Sequence, residues 1–361
     1  MAGASGQGRL QAAFAKVSNM DLQIALLLGQ DGIVNGAIYG LLAVALVLVF
    51  SVTRVIFIPQ GEFVSFGALT LAMMQTGRLP TTLWLLVALA AMVLVLDILR
   101  ARAGREVSWS ASIFWTVIAP CIAFALAWGL RPSSLILQAI TTLAIITPMG
   151  PLMYRLVYRP LANATVLSLL IVSVAMHGVL VGLGLVFFGA EGSRTPAFSE
   201  AQFQLGDIGI SGQSLVVVGT AICLVLALFV FFGRSMVGKA LRATAINRVG
   251  ARLMGIPAGL AGDVSFALAA LIGAVSGLLI APITTVYYDT GFLMGLKGFV
   301  AAIVAGLASY PLALAGALLV GLLEAFSSFW ASAYKEVLVF TLIIPVLWWR
   351  SRSSHHVEEE E

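Results

Sequence analysis

Apolar runs about as long as a bilayer is thick recur along this chain, and they leave few folds open to it. A membrane-crossing helix needs about 20 largely apolar residues. Runs near that length occupy residues 33–52, 83–98, 113–130, 135–153, 166–188, 215–232, 260–281, 292–307, 312–329 and 337–349. Of the 361 residues, 60% are hydrophobic and 10% charged, which is more apolar area than a soluble domain can hide. In lipid every backbone polar group must be satisfied internally, so such runs fold as helices. The expected fold is an all-α integral membrane protein, a polytopic helical bundle of about 10–11 membrane segments within residues 22–349. Residues 1–21 lack a compact apolar core with a cleavage site and read as a retained tail, and residues 350–361 read as a charged cytoplasmic tail. Small-residue pairs at Gly36/Gly40, Gly178/Gly182 and Gly273/Gly277 would let helices pack closely.

One segment breaks the pattern. After the first run comes Arg54-Val-Ile-Phe-Ile-Pro-Gln-Gly-Glu62, and Pro59 and Gly61 interrupt a helix. The apolar stretch 63–75 that follows is short for a span, so residues 59–76 form a broken or re-entrant helix. Such backbone is tolerated at membrane depth where it packs on protein or lines a cavity. Ionisable groups inside a membrane mark function by default. Glu62, Lys297 and Glu324 are therefore candidate substrate-path residues, with Gln60 and Gly61 added beside Glu62. The alternatives are structural: Glu62 caps the broken helix or sits at the interface, and Lys297 pairs with Glu324 or with partner helices. His177 reads as a helix-to-helix hydrogen bonder, and Asp263 as interfacial.

Loop charge orients the chain. The loops at 98–107, 153–160 and 233–252 hold ten Arg or Lys against one Glu, and belong in the cytoplasm. The loops around 131, 189–213, 282–291 and 330–336 are neutral or acidic and belong outside. The C-terminus is then inside. The N-terminal side depends on residues 63–75. If they cross fully the N-terminus is outside; if they re-enter it is inside.

The basic segment 233–257 stands out, with Arg234, Lys239, Arg242, Arg248 and Arg252 and no acid. Gly233-Arg-Ser-Met-Val-Gly238-Lys239 imitates a phosphate-binding loop. Ala240 stands where a Mg²⁺-binding hydroxyl belongs, and the segment follows a membrane helix rather than a strand. No nucleophile–base set or metal-binding motif appears, so the chain is expected to be no enzyme and to bind no cofactor or metal. Cys121 and Cys223 read as small hydrophobes. The tail histidines His355 and His356 belong to a solvated end. The positive charges sit between apolar runs, which argues against nucleic acid. As a helix, the segment sets Val237, Leu241, Ala245, Val249 and Leu253 on one stripe, with Lys239, Arg242, Arg248 and Arg252 off it, and ends at Gly255 and Pro257. Two readings stay open at this point: a helix resting on anionic headgroups, or a docking helix for a cytoplasmic partner.

The chain resembles the LivH-type permease subunits of ABC importers for branched-chain amino acids over roughly residues 31–349. Gly238-Lys-Ala-Leu-Arg-Ala-Thr-Ala with Ala251-Arg-Leu-Met-Gly-Ile256 looks like the family's coupling segment. Gly291-Phe-Leu-Met-Gly-Leu-Lys-Gly-Phe-Val-Ala-Ala302 looks like its next signature, and Gln60-Gly61-Glu62, Glu324-Ala and Tyr334-Lys335-Glu336 also fit. Phe57-Ile-Pro, Asn247-Arg-Val-Gly250, Gly306-Leu-Ala-Ser-Tyr-Pro311 and Trp348-Trp349-Arg350 depart from the family's usual pattern. Residues 98–135 look like a two-span insertion. The resemblance implies a bacterial inner membrane protein paired with a second, LivM-like permease. It also implies two ATP-binding cassette subunits carrying ATP and Mg²⁺, and a periplasmic substrate-binding protein. The ATPase-coupling residues would be Gly238, Lys239, Leu241, Arg242, Ala245, Arg248, Arg252, Leu253 and Gly255. The rival class is a secondary transporter or channel using Glu62, His177, Lys297 or Glu324.

Overall fold

Helices account for most of the described chain, and small residues decide how they pack. The computed structural model describes the backbone of residues 4–104, 107–129, 134–205 and 208–353. The side chains of the tail 1–21, the turn Arg131-Pro132 and the tail with His355 and His356 lie outside the described residues. Helix α1 (Ala4–Thr53) is apolar over Leu22–Thr53. There follow α2 (Glu62–Gln75), α3 (Thr82–Arg102), α4 (Trp109–Gly129), α5 (Leu135–Leu161) and α6 (Val166–Phe188). An antiparallel hairpin, β1 (Gln202–Leu205) and β2 (Ile208–Ser211), leads into α7 (Gly212–Arg234). Two short helices, α8 (Met236–Ile246) and α9 (Arg248–Leu253), precede α10 (Ala258–Ile280), α11 (Thr290–Val304) and α12 (Tyr310–Trp330). Helices α13 (Lys335–Thr341) and α14 (Ile343–Ser353) close the chain. Among the described residues eight helices are long and apolar enough to cross a membrane. The all-α polytopic fold stands, with the hairpin as an addition that loop composition did not signal.

Lipid tails are as apolar as leucine, so burial alone does not hold these helices together and close packing must. Along α1, Gly32 and Gly36 lie against the backbone of Leu322 and Leu318 on α12, and Gly40 meets Leu314. Gly273 and Gly277 of α10 receive Phe63 and the Val64 carbonyl of α2. A Cβ at Gly178 or Gly182 of α6 would find open space among the described residues. Between Ile98 and Leu135 the described residues hold one membrane-length helix, α4, not two. The reason is length: α3 runs on to Arg102, and what remains suffices for a single span of 21 residues.

The broken segment packs inside the bundle and runs from one end of it towards the other. Helix α1 ends at Thr53, and the groove beside Ser51 is lined by Leu241, Arg242 and Tyr310, at the end of the bundle that carries the basic segment. The chain then runs extended through Arg54–Phe57, makes the 3₁₀ turn Ile58–Gln60 and starts α2. At the far end of α2, Thr81 donates a hydrogen bond to the Phe187 carbonyl at 3.3 Å, beside the outer loop. Helix α2 has 14 residues, about 21 Å of rise, short of a bilayer's hydrocarbon core by itself. Val55, Phe57, Pro59 and Gln60 are buried, so much of the irregular backbone packs on protein, where such backbone is tolerated at membrane depth. With the basic loops inside, the outer end of α1 lies near Asp31.

Candidate transport path and coupling elbow

Glu62 occupies the first turn of α2, where the helix dipole favours a carboxylate. It is buried and shares a hydrogen bond of 2.6 Å with His177 Nδ1 on α6. The His177 ring stacks on Phe292 of α11, with centroids 4.1 Å apart. Next to Glu62, Gln60 donates to the Ala269 carbonyl of α10 at 2.9 Å. Gly61 is needed for close approach, since a Cβ there would run into the backbone of Gly291. The Gly291 N–H donates to Ser65 Oγ at 2.7 Å, so the deep starts of α2 and α11 are stitched together. Gln60, Gly61 and Glu62 thus sit at one junction of four helices.

Lys297 and Glu324 form a second site. Lys297 Nζ lies 2.6 Å from a Glu324 oxygen and 3.1 Å from Glu336. The Tyr39 hydroxyl donates to the other Glu324 oxygen, and the Lys297 ammonium sits 5.7 Å from the centre of the Tyr39 ring. The two sequence candidates therefore neutralise each other within a network from α1, α11, α12 and α13.

A third charged site was not anticipated. Arg155 of α5 is fully buried; it makes a bidentate pair with Asp263 of α10 and lies 3.7 Å from Asp97 of α3. Asp97 also accepts from Ser112 at 2.6 Å and from Arg100 at 3.3 Å. Asp263, expected at the interface, is only 2% exposed. A lone aspartate at the end of an apolar run was the available signal, because buried carboxylates require paired cations.

The basic segment is an elbow of two helices rather than one. Ser235 caps α8 by accepting from the Gly238 N–H at 2.9 Å. Asn247 takes an extended conformation and caps α9 by accepting from the Gly250 N–H at 2.8 Å. Short polar side chains that compete for backbone N–H groups start helices anew, and Asn247 divides the expected stripe. Leu241 alone of that stripe is fully buried, at 1% exposure, and Ala245 is half-buried. Val249 and Leu253 face outward at 68% and 83% exposure. Gly238 is buried against the Phe231 carbonyl. Lys239, Arg242, Arg252 and Gly255 are exposed, whereas Arg248 is half-buried and its Nη1 reaches the Ala162 carbonyl at 3.5 Å.

The sequence matches the family described as branched-chain amino acid transport system, permease component, over residues 30–347. The chain belongs to this family. The permease is 26% identical over 324 residues to the high-affinity branched-chain amino acid transport system permease protein LivH of Salmonella typhimurium, covering 88% of this chain and 91% of that protein. LivH of Escherichia coli K12 gives the same figures. BraD of Pseudomonas aeruginosa, a permease protein of the same description, is 31% identical over 204 residues, 54% of this chain and 66% of BraD. Among solved structures, PsaBC from Streptococcus pneumoniae in complex with Fab is similar at a TM-score of 0.36 and 14% identity, covering 88% of this chain and 90% of that one. The LivH-type resemblance stands, and the chain is a multi-pass transport permease.

Proposed function

We propose that this permease forms half of the translocation path of an ATP-driven ABC importer in a bacterial inner membrane, carrying branched-chain amino acids or related small polar solutes. The other half is a LivM-like permease, a periplasmic binding protein delivers substrate, and two cytoplasmic subunits bind ATP and Mg²⁺. The observation that carries this reading is the elbow, seen in a chain matched over nearly its full length to transport permeases. Met236, Ile246, Val249, Leu253 and Met254 project from it beside Lys239, Arg242 and Arg252. Exposed apolar groups ringed by charge mark an interaction surface. The surface is tied to the membrane helices through Leu241 and through Arg248, so an ATPase that grips it differently in two states would move them.

The pairing of Lys297 with Glu324 and of Glu62 with His177 supports the importer over the ion-coupled alternative, because these groups already have partners. Two experiments test the reading. Charge reversal of Arg242 together with Arg252 is expected to abolish co-purification of the ATPase subunits while membrane insertion continues. Undiminished co-purification removes the elbow from the interface. Uptake in vesicles is expected to need ATP and the ATPase subunits; ion-gradient-driven uptake by the purified chain alone would overturn the importer.

A further inference from the structure

A half-open cavity of about 600 Å³ with a mixed polar and apolar lining lies by the loops assigned to the outer face, apart from the three charged sites described above. Its walls come from the outer end of α1, the arm preceding β1, the β2–α7 corner and the turn after α10. This volume lies in the range that small-molecule sites occupy, roughly 300–1,000 Å³. Two opposite charges line it. Asp31, on α1, has no ion-pair or hydrogen-bond partner among the described residues. Arg194 donates through Nε to the Pro282 carbonyl at 3.0 Å, which fixes the guanidinium plane. Its terminal nitrogens have no protein partner among the described residues. Gln30 adds a buried side-chain oxygen that accepts no hydrogen bond. Leu27, Val34 and Ile283 supply an apolar wall.

Asp31 and Arg194 are both solvent-exposed, and both line the cavity. A guanidinium fork matches a carboxylate in geometry. A carboxylate and an amide oxygen together match an ammonium, which offers three donors and no acceptor. The apolar wall matches an aliphatic chain. We infer that this cavity is an outer vestibule that receives an aliphatic amino acid as its zwitterion, with Arg194 on the α-carboxylate and Asp31 with Gln30 on the α-ammonium. The inference rests on the importer reading and adds to it a site on this chain that chooses between zwitterions and singly charged analogues. A substrate released by a binding protein at the outer face would meet this vestibule before the membrane interior.

The test uses the complete transporter complex in lipid nanodiscs, without its binding protein. Radiolabelled L-leucine is competed by L-leucinamide, which lacks the carboxylate, and by 4-methylpentanoate, which lacks the ammonium. The wild-type complex is expected to prefer leucine to both. Arg194→Gln is expected to weaken leucine binding about ten- to hundredfold and to erase the preference over leucinamide only. Asp31→Asn is expected to do the same and to erase the preference over 4-methylpentanoate only. Arg194→Lys is expected to restore part of the affinity. The vestibule is overturned if either variant keeps the wild-type affinity and both preferences, or loses affinity for leucine and both analogues equally. A wild-type complex that imports leucine with its binding protein yet shows no saturable leucine binding alone also removes the vestibule, and leaves the importer reading intact. If it neither binds nor imports any zwitterionic amino acid, both readings fall.

Discussion

Arg155 is the side chain whose removal should cost most. It carries the charge that two buried carboxylates, Asp97 and Asp263, depend on. Breaking a buried pair leaves an uncompensated charge and costs about 3–5 kcal/mol. Arg155→Met is therefore expected to lower the thermal unfolding midpoint of the detergent-purified protein and its yield in membranes. Adding Asp263→Asn to that variant should recover part of the loss, since it removes one stranded charge. A double variant no more stable than Arg155→Met would show that the pair does not hold α5 to α10. Little of this site was legible beforehand. Asp97 sat inside an apolar run, Asp263 was assigned to the interface, and Arg155 was counted as a loop charge. Residues 108 positions apart in the chain meet only after α5 and α10 pack. Lys297 and Glu324 were legible as candidates because each interrupts an apolar run. Their mutual pairing was only one of the alternatives.

At the scale of elements, the broken helix was readable and the elbow was half-readable. Pro59 and Gly61 announce an interruption whatever the tertiary context, because one lacks an N–H and the other a side chain. What Gly61 touches was not readable. Its α-carbon lies against the backbone of Gly291 at the crossing of α2 and α11. Gly61→Ala should push these half-helices apart and cost about 1–3 kcal/mol or more, as overpacking does. A thermal-shift comparison with Gly178→Ala, whose site is open, checks this: equal effects would mean that the crossing is not tight. In the elbow, the period-four stripe suggested one helix with a covered apolar side. Asn247 can cap as well as continue a helix, and only the packing of Leu241 and Ala251 shows which it does.

Across the whole molecule, the parity at the N-terminal end turns on the path of residues 54–75. Residues 54–75 run from the end of the bundle near Ser51 and Arg242 towards the end near Thr81 and Phe187; with the basic loops inside, a full crossing would put the start of α1 outside. In a chain with Cys121 and Cys223 changed to alanine, a cysteine at Gly77 should react with a membrane-impermeant maleimide from outside, and one at Arg54 only after permeabilisation. Labelling of both from the same side would restore the re-entrant alternative. By itself, the sequence determined the solvent, the helical class, the approximate number of segments, the basic side and the permease family. Each of these rests on local composition or on ordered motifs, which survive without knowledge of contacts. Tertiary structure alone decided that the broken segment packs at a junction of four helices, that the intramembrane charges are paired, and that Asp31 and Arg194 line one cavity. These depend on which helix faces meet. In lipid that choice is made by close fit at small residues and by the need to neutralise buried charge, neither of which leaves a periodic trace in the chain.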